Sequence, residues 1–302
     1  MTKMYFKERV IHSVEWLRTI NFILQNRGRE TYGAQELRNL IKKHNMDYSA
    51  DPVEQINAEK SLQEIEKLLQ LTKVKNLKRF GATNDGGYIG IEAKGTPILL
   101  SGGGGKNIDF EIELAQKGAE VHLYDPTIKK LPKNHANIFH IRRALSVPGN
   151  RNFKSYSTLA QAISVLNSDA NKPLWLKIDI EGSEIELLSH DLNSLPKFQQ
   201  IFVEFHDTFQ IIDPIYRERF LDILRKLVES FNLISIVSNN WKGITNFGCS
   251  FLPETFEATF ISKDIQVELC DEYEYETLRN TNNPRRPSIP DGPFRVSNYG
   301  NS

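Results

Sequence analysis

The sequence predicts an α/β fold in which a doubly wound, mostly parallel sheet of seven strands carries helices on both faces. Three observations lead to this prediction. Short apolar runs alternate with helix-compatible segments between residues 77 and 265. One of these runs, 174–180, is almost wholly apolar, as expected for a strand that is buried on both faces. A glycine-rich turn, 102–105, joins another apolar run to a helical segment, an arrangement typical of the ligand-binding edge of such a sheet.

The seven strands are placed by their apolar runs and by the turn residues between them. In chain order they are expected at 97–101, 121–124, 138–141, 174–180, 201–205, 233–237 and 255–262. A helix from Pro214 to about Ser230 is expected between the fifth and sixth strands. Because ligands bind beyond the carboxyl ends of parallel strands, the residues that follow each strand are the first candidates for function.

The sequence divides the chain of 302 residues into three parts. Residues 1–76 are expected to form an N-terminal helical extension, since apolar residues recur there at three- and four-residue spacing in three segments, 13–26, 35–44 and 53–71. This extension could simply pack on the main domain, which the pattern favours, or it could cap the active site, form a homodimer or bind a partner. Residues 77–265 form the expected main domain. Residues 266–302 end in a stretch rich in proline, asparagine and glycine, so a loosely ordered tail is expected.

Composition argues against several classes of partner and compartment. Lys plus Arg and Asp plus Glu both number 38, so no global basic field favours nucleic acid. No apolar stretch approaches the length of a membrane span, and the N-terminus lacks the apolar core of a signal peptide. The two cysteines, Cys249 and Cys270, are too few for a disulfide framework and indicate free thiols. A cytoplasmic protein is therefore expected.

The glycine-rich turn and the strand after it predict a nucleoside site. Glycines 102–105 follow the first strand, and Asp125 ends the second strand. Glycine lets the backbone approach a ligand closely. An acid about 20 residues beyond such a loop is placed to accept hydrogen bonds from a ribose diol.

The details of the loop favour a nucleoside without a pyrophosphate. The third glycine of a dinucleotide fingerprint is missing in both frames, where Asn107 and Ile108 stand, and Lys106 is not followed by the Ser or Thr of a P-loop. Acids at 109, 111 and 113 would repel a pyrophosphate at the helix entry. S-adenosylmethionine (SAM), which carries adenosine and no phosphate, fits better. The alternative is an ordinary glycine-rich turn.

Acidic and imidazole side chains follow the fourth and fifth strands. Asp179 ends a buried strand, and a carboxylate there is costly unless it meets a cation, a metal or hydrogen-bond donors. The ammonium or sulfonium group of SAM is one such cation. Glu204 and His206 are two residues apart and share one face of an extended segment. His206 is the first candidate for the base that takes a proton from an acceptor hydroxyl, and Glu204 is the second.

Other interpretations of these side chains remain open. Asp179, Glu204 and His206 could together bind a divalent cation that activates the hydroxyl. His206 could equally be a hydrogen-bonded histidine near the sheet edge. The acids of the next helix, Glu184 and Glu186, are expected on a solvated helix face.

Six short motifs follow one another between residues 77 and 263. They are R-F-G-A-T-N-D-G-G-Y (79–88), S-G-G-G-G-K-N-I-D-F-E (101–111), L-K-I-D-I-E-G-S-E-I-E (176–186), V-E-F-H (203–206), S-N-N-W (238–241) and P-E-T-F-E-A-T-F-I (253–261). In this order they resemble the FkbM-like group of SAM-dependent methyltransferases. The resemblance implies the Rossmann-like sheet of a class I methyltransferase with an antiparallel last strand, and methyl transfer to oxygen, often on a sugar or polyketide-type hydroxyl.

The resemblance also implies roles for individual residues. Asp125 would hold the ribose, Asp179 would lie near the methionine end, and residues 144–146 would line the adenine. Ser101 stands where many class I methyltransferases carry an acid, and Asp85 is a candidate substitute for that acid. The expected cofactor-binding residues are Asp85, Gly87, Tyr88, Ser101, Gly102, Gly103, Gly104, Gly105, Asp125, Ala144, Leu145 and Asp179.

The predicted function is therefore O-methylation of a hydroxyl on a sugar, a glycan or a related small molecule, by in-line displacement. Residues 239–241, which include a tryptophan, could contact such an acceptor or form an ordinary turn. Two alternatives come from other classes. One is a non-catalytic binding module on the same fold. The other is an NAD-linked sugar oxidoreductase, against which the missing third glycine counts.

Overall fold

The computed structural model describes residues 52–150, 153–166, 172–247, 250–271 and 294–295. The first two predicted helical segments and most of the predicted tail therefore lie outside the described residues. The helices are α1 (Pro52–Leu68), α2 (Asp109–Gln116), α3 (Leu159–Ser164), α4 (Glu184–His190) and α5 (Pro214–Ser230), with 3-10 turns at Leu192–Lys197 and Thr208–Ile212. The strands are β1 (Lys78–Gly81), β2 (Gly87–Gly90), β3 (Ile98–Gly102), β4 (Glu120–Tyr124), β5 (Ile138–Ile141), β6 (Ala144–Leu145), β7 (Tyr156–Ser157), β8 (Leu174–Ile178), β9 (Gln200–Phe205), β10 (Phe231–Ser238), β11 (Ile244–Phe247), β12 (Ser250–Pro253), β13 (Phe256–Ser262) and β14 (Phe294–Arg295).

The central sheet has seven strands in the order β10-β13-β9-β8-β3-β4-β5. Strand β13 runs antiparallel to both of its neighbours, and the other paired strands of this sheet run parallel. The predicted doubly wound, mostly parallel sheet is thereby confirmed. The order reverses between β3 and β8, because the chain adds β4 and β5 on one side of β3 before it crosses to β8 and β9 on the other. A crevice at the carboxyl ends of the strands is expected at this switch point.

Local sequence sets the ends of the helices. Helix α5 begins with Pro214, whose fixed φ suits the first helical position, and the Asp213 side chain accepts hydrogen bonds from the N–H groups of Ile215 and Tyr216. Helix α3 begins with a capping box. The Thr158 side chain accepts a hydrogen bond from the N–H of Gln161, and the Gln161 side chain accepts one from the N–H of Thr158. The capped helix ends fix where each connection enters the sheet.

Alternate residues of the strands pack into two hydrophobic clusters on opposite faces of the sheet. Leu100 and Leu176 belong to one cluster, whereas Leu99 and Trp175 belong to the other. Helix α1 contributes the buried residues Ala58, Leu62 and Ile65 to the first cluster. Helix α1 is therefore packed into the same core as the predicted main domain.

The start of the predicted tail also packs against the body of the fold. The N–H of Lys75 donates to the carbonyl of Glu268 at 2.8 Å, and the N–H of Cys270 donates to the carbonyl of Lys73 at 3.2 Å. Contacts among the described residues thus cross both predicted boundaries, at 76 and at 265, and the three-part division stays a prediction. Within the described ranges, no helix is long and apolar enough to cross a membrane.

Candidate functional site

A cavity of about 700 Å³ lies at the switch point between β3 and β8. We name its two ends after the strands that form them. The β4 end is lined by Asp125, Thr127, Ala144 and Leu145. The β9 end is lined by Glu204, His206, Asn239, Trp241 and Thr255. The glycine loop, residues 102–105, belongs to the β4 end, where it bonds to Asp125, and Asp179 lies between the two ends.

The glycine loop requires glycine at two positions for different reasons. Gly103 has a φ of +77°, and a Cβ there would lie 1.7 Å from the carbonyl oxygen of Asp179. Gly105 has a φ of +54°, but a Cβ there would meet no atom within 4 Å. Gly103 thus permits the close approach of the β3 and β8 ends, whereas Gly105 leaves open space at the cavity wall.

Asp125 holds the glycine loop in place. Its Oδ2 accepts hydrogen bonds from the N–H groups of Gly104 at 3.0 Å and Gly105 at 2.9 Å. Its Oδ1 accepts from the N–H and the hydroxyl of Thr127 at 2.7 and 2.6 Å. Burial alone would raise the pKa of Asp125, but these donors lower it below the usual value. The carboxylate that the sequence predicts for the ribose therefore also stabilises the conformation of the glycine loop.

A buried ammonium group lies beneath the loop. The Lys177 side chain is 4% exposed, and its Nζ lies 3.4 Å from Oδ2 of Asp179 and 3.7 Å from Oε1 of Glu111. The same Nζ donates to the carbonyl oxygen of Gly103. Desolvation lowers the pKa of Lys177, but the two carboxylates outweigh it and raise that pKa. Lys177 thus stays charged. Burial alone would raise the pKa of Asp179, but the Lys177 ammonium group helps to lower it below its usual value.

Glu111 brings a carboxylate to Ser101, the position where the resemblance leads one to expect an acid. Ser101 and Glu111 are both buried, and the Ser101 hydroxyl donates to Oε1 of Glu111 at 2.6 Å. Asp85, the substitute that the sequence predicts for that acid, makes no such contact with Ser101 among the described hydrogen bonds, and its role stays a prediction. Asp85 lies on the cavity wall instead. Glu111 reaches Ser101 because it stands in the first turn of α2, directly after the glycine loop.

His206 forms an ion pair with Glu184, a residue that the sequence analysis expected to be exposed to solvent. Glu184 is wholly buried, its Oε1 lies 3.0 Å from Nδ1 of His206, and it accepts the N–H of Ile180 at 2.9 Å and of Gly182 at 3.2 Å. Desolvation lowers the pKa of His206, but Glu184 and further carboxylates raise it to about 10. The expectation of a solvated Glu184 is wrong, because this carboxylate satisfies the turn before α4; Glu186 is exposed as expected.

Glu204 is buried and faces a second acid. Glu204 pairs with Glu257 across β9 and β13, and their exposed fractions are 3% and 4%. The side-chain amide of Asn239 donates to Oε1 of Glu204. Burial, together with the Asp179 carboxylate, raises the pKa of Glu204 well above its ordinary value. A carboxyl group of raised pKa at a cavity wall is a better proton acceptor than an exposed one.

The three predicted metal ligands do not fall into one group among the described residues. Ligand atoms of Asp179 and His206 lie within 4.8 Å of one another and of Glu181. Glu204 instead groups with Asp85 and Glu257. A bound divalent cation stays a prediction. In the structure its ligands would be Asp179, Glu181 and His206, or else Asp85, Glu204 and Glu257.

The predicted cofactor-binding residues separate into two sets. Those that line the cavity are Asp85, Gly103, Gly104, Gly105, Asp125, Ala144, Leu145 and Asp179. Those that are buried and do not line the cavity are Gly87, Tyr88, Ser101 and Gly102. Tyr88 still reaches the site indirectly, because its hydroxyl donates to Oδ2 of Asp179 at 3.1 Å.

The sequence analysis did not predict the contacts of three side chains at this site. Lys177 and Glu184 hold the charges of Asp179 and His206, and Thr255 lines the β9 end. The available signal for Lys177 was a single lysine inside an otherwise apolar strand, which demands a buried counter-charge. Thr255 stands in one of the six motifs, 253–261, but nothing in its local sequence distinguished it from its neighbours.

Comparison with known proteins shows no family for this chain. No family model and no curated protein matches it. Similar solved structures include a fibrillarin/Nop5p complex, 11% identical over 57% of this chain and 76% of that chain, with a TM-score of 0.33. A putative hemolysin from Streptococcus thermophilus is 12% identical over 72% and 69%, with a TM-score of 0.32. The 16S rRNA (adenine(1408)-N(1))-methyltransferase from Catenulisporales acidiphilia is 10% identical over 65% and 100%, with a TM-score of 0.29.

Likeness at this level carries no argument about function. The fold assignment rests on the strand order and on the antiparallel β13, which are those of a Rossmann-like class I methyltransferase sheet.

Proposed function

We propose that this protein is a SAM-dependent methyltransferase that methylates a hydroxyl oxygen of a saccharide or related small molecule. The observation that carries the proposal is the cavity at the switch point, which joins a glycine loop at its β4 end to buried ionisable groups at its β9 end. The six motifs that resemble the FkbM-like group support the same function.

The β4 end has the donors and the space that adenosine requires. Gly105 leaves its part of the wall open, and Ala144 and Leu145 offer apolar surface to a base. Asp125 is the carboxylate for the ribose hydroxyls. Because both oxygens of Asp125 already accept hydrogen bonds from the protein, ribose binding would exchange one or more of these bonds for ribose donors.

The middle of the cavity suits a cation. Asp179 and Glu181 line it, and the pKa of Asp179 is lowered, so its carboxylate is ionised at neutral pH. The ammonium and sulfonium groups of SAM are positively charged, which matches these carboxylates. When bound there, SAM would supply an electrophilic methyl group.

Glu204 is our candidate for the group that takes the acceptor's proton. It lines the β9 end, and its raised pKa makes its ionised form a stronger base than an ordinary carboxylate, whereas His206, the first candidate from the sequence, has a pKa of about 10 and holds a proton at neutral pH. The acceptor hydroxyl would lose its proton to the Glu204 carboxylate as its oxygen takes the methyl group. His206 would then offset the negative charge of the neighbouring carboxylates. Alignment of the reacting groups supplies most of the rate gain in such a transfer.

A matched pair of glycine substitutions tests the cofactor site. Gly105 and Gly149 both have left-handed φ values, +54° and +84°, and a Cβ at either would meet no atom within 4 Å. Asparagine tolerates this backbone conformation. Gly105 lines the cavity, and Gly149 is not among its lining residues. In calorimetric titration with SAM, Gly105→Asn should bind about tenfold more weakly than the wild type, a loss of about 1.4 kcal/mol, while Gly149→Asn should bind normally.

Two outcomes would count against the proposal. One is a folded wild-type protein that binds no SAM and no S-adenosylhomocysteine. The other is equal weakening of SAM binding in both variants. A parallel titration with NADH separates the oxidoreductase alternative, because NADH binding without SAM binding would favour that class.

A further inference from the structure

Thr255 carries a buried hydroxyl group without a hydrogen-bond partner. Thr255 precedes β13, is 1% exposed and lines the β9 end of the cavity. Three buried side-chain atoms lack a partner within the described ranges: Arg79 Nη1, Ser146 Oγ and Thr255 Oγ1. Of these three residues, Thr255 alone lines the cavity. A buried hydroxyl without a partner costs free energy, so its presence at a cavity wall requires an explanation.

Neighbouring threonines show the usual arrangement. The Thr208 hydroxyl donates to the carbonyl oxygen of Pro253, and the Thr245 hydroxyl donates to Oε1 of Glu254 at 3.1 Å. Both threonines are buried, as Thr255 is. The missing partner of Thr255 concerns its side chain, since its carbonyl accepts the N–H of Asn239 at 2.9 Å. The cavity is the space from which a partner for this hydroxyl can come.

The groups that share the β9 end with Thr255 match the chemistry of a hydroxylated ring. The Glu204 carboxyl and the Asn239 amide, which bond to each other, supply fixed polar groups. Trp241 is 48% exposed and lines the same end of the cavity, to which it contributes an aromatic side chain. Ring hydroxyls bond to such polar groups, and the C–H face of the ring packs on the indole.

We infer that Thr255 is a specificity-determining residue of an acceptor subsite at the β9 end, which takes a neutral polyhydroxylated ring. A ring hydroxyl next to the one that is methylated supplies the missing partner of Thr255 Oγ1. The inference rests on the proposed methyltransferase function and extends it by naming the residue and the contact that select the acceptor.

The substitution Thr255→Val tests the inference, with Thr208→Val as the matched control. Valine keeps the shape of threonine and removes the hydroxyl. In the ligand-free protein, Thr255→Val should unfold at the same temperature as the wild type or higher, whereas Thr208→Val should unfold at a lower temperature. Methyl glucoside, methyl galactoside and methyl rhamnoside are the probes for the subsite. Titrated into protein saturated with S-adenosylhomocysteine, at least one should bind the wild type and Thr255→Ser alike, and bind Thr255→Val about tenfold more weakly.

Three results would overturn the inference while SAM binding persists. The first is that none of the three glycosides binds the wild type. The second is that a glycoside binds Thr255→Val and the wild type equally. The third is that Thr255→Val loses as much stability as Thr208→Val, because its hydroxyl would then have a partner inside the protein. A wild type that binds neither SAM nor S-adenosylhomocysteine overturns the proposed function instead.

Discussion

The two ends of the cavity are built from different parts of the polypeptide. The β4 end consists of the backbone N–H groups of the glycine loop, the carboxylate of Asp125, which accepts two of these N–H groups, and the apolar residues Ala144 and Leu145. The β9 end consists of side chains from β9, from the segments just after β9 and β10, and from the residue just before β13, which meet only in the folded sheet. Main-chain groups thus shape the first end, whereas neighbouring side chains determine the charge of the second.

The charged side chains along the cavity are stabilised in different ways. Asp125 is stabilised by hydrogen-bond donors that carry no charge. Asp179 and His206 belong to buried ion pairs, with Lys177 and Glu184 as their respective partners. Removal of one member of a buried ion pair leaves an uncompensated charge, which costs more than the loss of a neutral donor. The ion-paired side should therefore be the more sensitive to substitution.

The largest effect is expected from Lys177→Met. This substitution leaves the carboxylates of Asp179 and Glu111 without their buried counter-charge, so we expect the free energy of unfolding in urea to fall by about 3–5 kcal/mol. Lys117→Met is the control, because the Lys117 side chain is 47% exposed and pairs with Glu113 at the surface. That control should lose less than about 1 kcal/mol. Equal losses in the two variants would contradict the assignment of Lys177 to a buried network.

A smaller effect is expected from Glu184→Gln, about 2–3 kcal/mol. The folded pKa of His206, about 10, lies above its unfolded value near 6.5. The stability that this pair contributes is therefore fully present below pH 6.5 and is lost as pH rises towards about 10. The difference in unfolding free energy between wild type and Glu184→Gln should shrink over that interval, and NMR titration should show a lower His206 pKa in the variant.

Glu186→Gln provides the control for that experiment, because Glu186 is exposed on the same helix. The control should leave the His206 titration unchanged. If His206 titrates near 6.5 in the wild type, its ion pair with Glu184 does not form in solution. His206 would then be the first candidate for the base again.

The sequence predicted the β4 end better than the β9 end for a physical reason. Strands, the glycine loop and Asp125 are marked by apolar runs and by spacing within a short stretch of chain. The partner of Glu204, by contrast, is Glu257, which becomes its neighbour only through the antiparallel pairing of β9 with β13. Glu184 was expected in solvent because acids in the first turn of a helix are usually exposed. Only the fold shows that its carboxylate accepts the N–H of Ile180 and pairs with His206.

The smallest effect is expected at the β4 end, from Asp125→Asn. The amide keeps one acceptor oxygen but turns a donor towards the loop or Thr127, so we expect a loss of about 1 kcal/mol. The pKa of Asp125 is lowered in the folded protein, so its contribution is present above its usual value near 3.8 and is lost as pH falls below it. Hydrogen exchange at the amides of Gly104 and Gly105 should accelerate in the variant, while the amides of β9 should exchange as in the wild type. Unchanged exchange at these glycines would show that the loop holds its shape without Asp125, and the carboxylate would then be available to a ribose at no structural cost.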